Sequence, residues 1–169
     1  MAKLDERGSK LQQDIYNLAC KAYKPYEVIY EYPIGALNQR IDIFIPLLGI
    51  ALEIDGIQHF EFSKFFFKDE NAWNNSVRLD TVKDKYLYEH GVKVVRIPYN
   101  TKIKTVEDLK ECVNQVEYPP FDYEIIETES DYQKLRKEKF KEQQQSFKKK
   151  QRERQKALQQ SQDTDYLDY

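Results

Sequence analysis

The sequence predicts an α/β (α+β) domain, a mixed β-sheet flanked by helices, followed by a basic helical extension. Three observations predict it. Between Ser9 and Tyr23, the apolar residues Leu11, Ile15, Leu18, Ala19 and Ala22 recur at helical spacing. Between Tyr26 and Asp55, three short stretches rich in β-branched and aromatic residues alternate with Gly- and Pro-containing connections and read as strands. From Asp131 to about Gln160 the chain turns to Lys, Arg, Gln and Glu without glycine or proline, a composition of high helix propensity.

The elements follow in order. Ser9 is placed to cap the first helix, and Pro25 lies just beyond its end. Tyr26 to Tyr32 (YEVIYEY) is the first strand, and Pro33 to Gln39 a polar connection. Ile41 to Ile45 and Ile50 to Asp55 form a hairpin closed by the loop Pro46-Leu47-Leu48-Gly49. Phe60 to Phe67 (FEFSKFFF) is aromatic and is expected in the core rather than as a base-stacking wedge. Lys68 to Asn75 reads as a polar loop. Asn75 or Ser76 caps a second helix that runs to His90, with Leu79, Val82 and Tyr86 as its buried line and Gly91 as its stop. His90 reads as a C-terminal helix residue favoured by the helix dipole. Val92 to Pro98 is a further strand, and Thr105 to Val116 a short helix capped by Thr105. Pro119-Pro120 closes the domain, and Tyr123 to Glu127 is a candidate edge strand.

A chain of 169 residues holds one ordinary domain plus an extension. The expected division is one compact domain over 1–130 and a basic helical extension with an acidic, tyrosine-containing end over 131–169. With 40% hydrophobic and 14% aromatic residues there is enough to fill a core, although a mean hydropathy of -0.82 shows dilution by a polar segment. Residues 1–130 carry 16 Lys and Arg against 22 Asp and Glu, whereas 131–160 carry 11 against 4. A basic segment on an acidic domain suggests a polyanionic partner; a solvated charged helix is the alternative. No signal peptide is apparent in the charged start of the chain, and the longest apolar run is too short to span a bilayer. A soluble, cytoplasmic protein without membrane partners is therefore expected. Cys20 and Cys112 fall in helical segments and read as reduced packing residues, not as a zinc site.

The chemistry concentrates in the hairpin. Ile41, Ile43 and Ile45 share one strand face, with Asp42 and Phe44 opposite; Ile50, Leu52 and Ile54 share another, opposite Ala51, Glu53 and Asp55. If Ile45 pairs with Ile50, Asp42 lies across from Glu53, with Cβ atoms about 4.5–5.5 Å apart. Two carboxylates so placed repel unless a proton or a cation sits between them. Mg²⁺ (or Mn²⁺) held by such carboxylates can activate water and stabilise charge on a phosphoryl group, and histidine is suited to take the proton.

The string EIDGIQHF (Glu53 to Phe60), preceded by RIDIFIP (Arg40 to Pro46), resembles a phage and virus family of homing-type endonucleases. That family is related to the very-short-patch-repair endonucleases and belongs to the PD-(D/E)XK, restriction-endonuclease-like superfamily. RLDTVKDKY (Arg78 to Tyr86), VVRIPY (Val94 to Tyr99) and Ser9-Lys10 extend the resemblance over roughly residues 9–99. It implies a restriction-endonuclease-like core and a metal-dependent DNA endonuclease of phage or mobile-element origin, acting in the host cytoplasm. Carried over by position, Asp42 is the first metal ligand and Glu53 the second acid. Asp55, a further metal-ligand candidate, stands where the wider superfamily has lysine. His59 is the general base or water-orienting group, with Gln58 beside it, and Asp80 and Lys83 reach the same site from the second helix. The chain departs from the family at Gln12, where the first helix usually carries glutamate.

Several alternatives stay open from the residues alone. Asp55 can instead pair with Arg40, and Asp80 with Lys83 can be a simple i,i+3 helix pair. Lys148, Lys149, Lys150, Arg152 and Arg154 are expected to bind DNA through its phosphate backbone without sequence preference; the same helix could dock a protein partner or form a homodimer. A catalytically impaired nuclease fold, kept for nucleic-acid binding or scaffolding, is the competing function.

Overall fold

The computed structural model describes residues 10–56, 59, 63–118, 134, 138, 141–142, 145–146 and 148–159. Ser9, Gln58, Phe60 to Phe62, Pro119-Pro120 and the candidate strand Tyr123 to Glu127 lie outside them. The elements are α1 (Lys10–Ala22), β1 (Ile29–Ile34), β2 (Gln39–Ile45), β3 (Ile50–Asp55), α2 (Glu70–Glu89), β4 (Lys93–Pro98) and α3 (Val106–Asn114). The four strands make one mixed sheet in the order β1-β2-β3-β4, antiparallel except for the parallel pair β3 and β4. Chain contacts separate two compact units, 1–119 and 120–169. In the second, residues 148–159 are helical.

The hairpin register is the one expected: Ile45 pairs with Ile50 and Ile43 with Leu52. Pro46 to Leu48 form a single 3-10 turn, and Gly49, at φ 59, takes the left-handed conformation that closes it. Both faces of the sheet are covered. Ile43, Ile45, Leu52, Val95 and Ile97 are fully buried. Ala51 and Val94 pack with Leu87 of α2, and Tyr86 and Tyr88 lie against the same cluster. α1 packs on α3, and Ile15, Ala19, Leu109 and Val113 fill the core from those helices.

Four expectations are corrected. β1 lies at Ile29–Ile34 rather than starting at Tyr26; it includes Pro33, whose missing N–H is least costly on an edge strand. α2 begins at Glu70 because Asp69, not Asn75 or Ser76, caps it, its side chain accepting from the Ala72 N–H at 2.9 Å. Its buried face is Thr81, Lys83, Asp84 and Leu87, while Leu79 is 40% exposed. The sheet beneath presents Glu53, Asp55 and Arg96, so the polar side of the helix finds its partners there. Phe65 and Phe66 are not core residues: they sit in a turn, 88% and 48% exposed, stacked edge to face on each other. α3 keeps its expected cap, with Thr105 and Asp108 forming a reciprocal capping box. His90 caps the C-terminal end of α2, its ring against Tyr86.

Candidate active site

The site grows out of a break in the hairpin. In a regular ladder the Ile54 N–H would face β2 backbone, but it donates instead to Asp42 Oδ2 at 2.7 Å. Backbone pairing of β2 with β3 stops at Ile43–Leu52, one step before Asp42 and Glu53. A cavity of about 540 Å³ opens there, lined by Gln12, Asp42, Glu53, His59, Asp80 and Lys83 among others. Thus α1, β2, β3, the segment after β3 and α2 each contribute a polar side chain to one space.

Glu53 is 4% exposed. Its Oε2 accepts from the Lys83 ammonium at 2.6 Å, and Lys83 also donates to the Arg40 backbone carbonyl at 3.1 Å. Its Oε1 is buried with no hydrogen-bond partner among the described residues, which is costly for a carboxylate. Burial, reinforced by the charge of Asp42, raises Glu53 to about 8 against the pull of Lys83 and Arg96. Burial likewise raises Asp42; the Ile54 N–H and Lys83 work against that shift, while Glu31 and Asp55 add to it. For Lys83, burial disfavours the charge, but Glu53 more than offsets it and holds the ammonium protonated.

A second cluster adjoins the first. The Arg96 guanidinium grips Asp84 with two bonds, Nε to Oδ2 at 3.1 Å and Nη2 to Oδ1 at 2.8 Å, and donates through Nη1 to Asp55. Asp55 therefore pairs with Arg96 rather than with Arg40, which instead lies 3.5 Å from Glu31. His59 Nδ1 is 2.7 Å from Asp80 Oδ2 and 3.9 Å from Asp55 Oδ1. Burial alone would lower His59, but the Asp80 hydrogen bond and the charges of Asp55 and Asp80 raise it above its ordinary value. Burial works against the Asp80 charge too, yet His59, Arg96 and Lys83 hold that carboxyl well below its usual range.

Of the residues singled out in the sequence, Asp42, Glu53, Asp55, His59, Asp80 and Lys83 all line this cavity; Gln58 lies outside the described residues. Arg96, Asp84 and Glu31 were not singled out. Arg96 carried a signal, since an arginine inside the apolar strand VKVVRIP must be buried and must find acids. Asp84 sits one residue after Lys83 on the same helix, and its role follows only once Arg96 is placed. In the second unit, Lys148, Lys149, Lys150 and Arg152 are exposed and Arg154 is half-buried. Lys148, Arg152 and Lys156 recur every four residues along one line of that helix. Among the described residues, no helix is long and apolar enough to cross a membrane.

No family model and no solved structure matches the chain. It is similar to the uncharacterized protein 033L of Invertebrate iridescent virus 3, 34% identical over 74 residues, which is 44% of this chain and 38% of that protein. It is also similar to the uncharacterized protein 307L of Invertebrate iridescent virus 6, 31% identical over 68 residues, or 40% of this chain and 34% of that one. The matched stretch spans well under half the length of these curated relatives.

Proposed function

We propose that the protein is a Mg²⁺- or Mn²⁺-dependent endonuclease of viral origin that hydrolyses phosphodiester bonds in DNA, built on a restriction-endonuclease-like core. The observation that carries this reading is the single cavity that collects Asp42, Glu53, His59, Asp80 and Lys83 around an unpartnered buried carboxylate oxygen. The donor set fits a hard divalent cation, which prefers carboxylate oxygens, and Asp42 with Glu53 would hold it. When bound, the cation lowers the pKa of a coordinated water and neutralises charge on the phosphoryl group.

The chain's own residues do the rest. Asp80 accepts from His59 Nδ1–H, which fixes the tautomer and leaves Nε2 as the group that takes a proton from water. Lys83 places a positive charge beside Glu53, where it can face a phosphate oxygen. Arg96 locks Asp55 and Asp84 and so fixes β3 against α2. The basic line of Lys148, Arg152 and Lys156, with Lys149, Lys150 and Arg154 near it, captures phosphate backbone through charge and predicts salt-sensitive DNA affinity. The test is plasmid nicking with Mg²⁺ and with EDTA; nicking that persists unchanged in Asp42→Ala and Glu53→Ala overturns the mechanism.

A second reading has its own observation. Among the described residues no three or more His, Cys, Asp or Glu side chains are gathered closely enough to hold a metal as they stand, and Glu53 and Asp55 are engaged by Lys83 and Arg96. This favours a catalytically impaired nuclease fold that binds nucleic acid or scaffolds an assembly, the C-terminal helix docking a protein partner or a second copy. Calorimetry separates the two: DNA binding without Mg²⁺ or Mn²⁺ affinity supports the second.

A further inference from the structure

Each strand contributes one residue to a row across the sheet. Glu31 and Asp42 fall between the pairs Tyr30–Ile43 and Tyr32–Ile41. Asp42 and Glu53 lie one step beyond Ile43–Leu52, and Glu53 pairs with Arg96. Adjacent strands are about 4.8 Å apart, so three acidic residues stand side by side. Arg96 closes the row but is engaged by Asp55 and Asp84.

Glu31 is the member that sequence pattern did not mark. Its Oε1 accepts from Gln12 Nε2 at 2.8 Å, and its Oε2 is 3.5 Å from an Arg40 guanidinium whose side chain is 58% exposed. A carboxylate only accepts, so the amide nitrogen of Gln12 must face it. Gln12 is buried and lines the same cavity as Asp42 and Glu53. Independently, Glu53 lines this cavity, and its Oε1 is buried and without a hydrogen-bond partner among the described residues. Three acids in a row, the last of them with an unsatisfied buried oxygen, favour a proton or positive charge beyond what Lys83 provides.

We propose that Glu31 is the third acid of the cation site, a positioning residue clamped behind the cavity wall by Gln12. The inference rests on the divalent-cation reading above. Gln12 is neutral, but the hydrogen-bonded pair carries the charge that an acid on α1 would bring, one hydrogen bond further from the cavity.

The test is Mn²⁺ titration calorimetry on the full chain, with thermal unfolding measured alongside. Glu31→Gln is expected to weaken Mn²⁺ binding by roughly 10- to 100-fold, the usual cost of losing a partner of a metal ligand shell, while the protein stays folded. Glu31→Asn, which tolerates a left-handed backbone such as the φ of 52 at this position, repeats the measurement if Glu31→Gln lowers stability. Gln12→Glu alone sets two carboxylates at hydrogen-bond distance and should weaken binding as well. The double variant Gln12→Glu/Glu31→Gln restores an amide–carboxylate pair with the roles exchanged and should recover most of the affinity. If the wild type binds Mn²⁺ and Glu31→Gln binds equally well, or the double variant binds no better than Gln12→Glu, this inference falls and the cation reading stands. If the wild type binds no Mn²⁺, both fall.

Discussion

Two clusters of buried charge lie side by side between the sheet and α2, and they are finished differently. Around Arg96, two carboxylates share one guanidinium, which grips Asp84 with two bonds and Asp55 with a third. Around Glu53, one ammonium meets one oxygen, the other oxygen has no partner among the described residues, and the charge of Asp42 adds to the burial that raises Glu53. The first cluster is closed and holds structure. The second is electrostatically incomplete, and it is on that incompleteness that the proposed cation site rests.

The largest effect should come from breaking the closed cluster. Arg96→Met removes the cation and leaves Asp55 and Asp84 buried without it, a change of the kind that costs about 3–5 kcal/mol. Urea denaturation should show that loss, or no folded protein at all. Arg96→Lys keeps a charge but not the two-pronged geometry, and should fall between the two. An Arg96→Met protein as stable as the wild type would mean the two clusters do not differ in the way described.

Breaking the open cluster should do the opposite. Asp42→Asn keeps an oxygen to accept from the Ile54 N–H and removes one charge from a crowded site. The expected outcome is an unfolding temperature equal to or above that of the wild type in EDTA. Mg²⁺-dependent nicking should fall at least about 100-fold, and stabilisation by added Mg²⁺ should be lost. A variant that loses stability as Arg96→Met does would place Asp42 with the structural charges.

How much of this was legible in the sequence follows the same division. The hairpin register could be read because alternating isoleucines fix which residues share a face, and a slip of one residue would move them all to the other, where Glu53, Asp55 and Arg96 sit. The facing of Asp42 and Glu53 came with it. α2 was misread because its apolar residues were assumed to mark its inner face, whereas Lys83 and Asp84 are turned inward by acids and an arginine on strands distant in sequence. Such partners are set by tertiary contact, which periodicity does not encode. Glu31 was invisible for a related reason: in YEVIYEY it reads as an ordinary outward strand residue, and only its contact with Gln12 gives it a place.

The pH dependence of stability sharpens the comparison further. Glu53 is raised to about 8 from an ordinary 4.5, so between those values the folded state holds a proton that the unfolded state releases. Stability from this group is therefore lost as pH rises from about 4.5 to about 8. His59, raised above 6.5, has the same sign: its contribution is complete below that value and is lost as pH climbs through its folded pKa. Lys83 titrates above 10.5 and lies outside the window. Melting curves in EDTA at pH 5, 6, 7 and 8 should decline, and Glu53→Gln should decline less steeply. Because a bound cation favours ionised Glu53, Mn²⁺ affinity should rise across the same range. An unchanged slope in Glu53→Gln would assign the dependence to His59 and Asp42, both raised as well.

The smallest effect is expected where the two clusters meet, at Asp80. Its carboxylate holds His59 Nδ1 and helps keep that ring's pKa raised. Asp80→Asn removes the charge but retains an oxygen that can accept from Nδ1, so the ring stays oriented while its pKa falls. A base works only when unprotonated, so the acid limb of the nicking profile should move to lower pH. The maximal rate should also drop by roughly 10-fold as the imidazolium loses its counter-charge. The two changes point in opposite directions at pH 6, where the variant keeps a larger share of its own maximum than the wild type does. A limb that stays in place would show that His59 is not the group whose ionisation the rate follows, and would leave Asp80 as a packing partner of the Arg96 cluster.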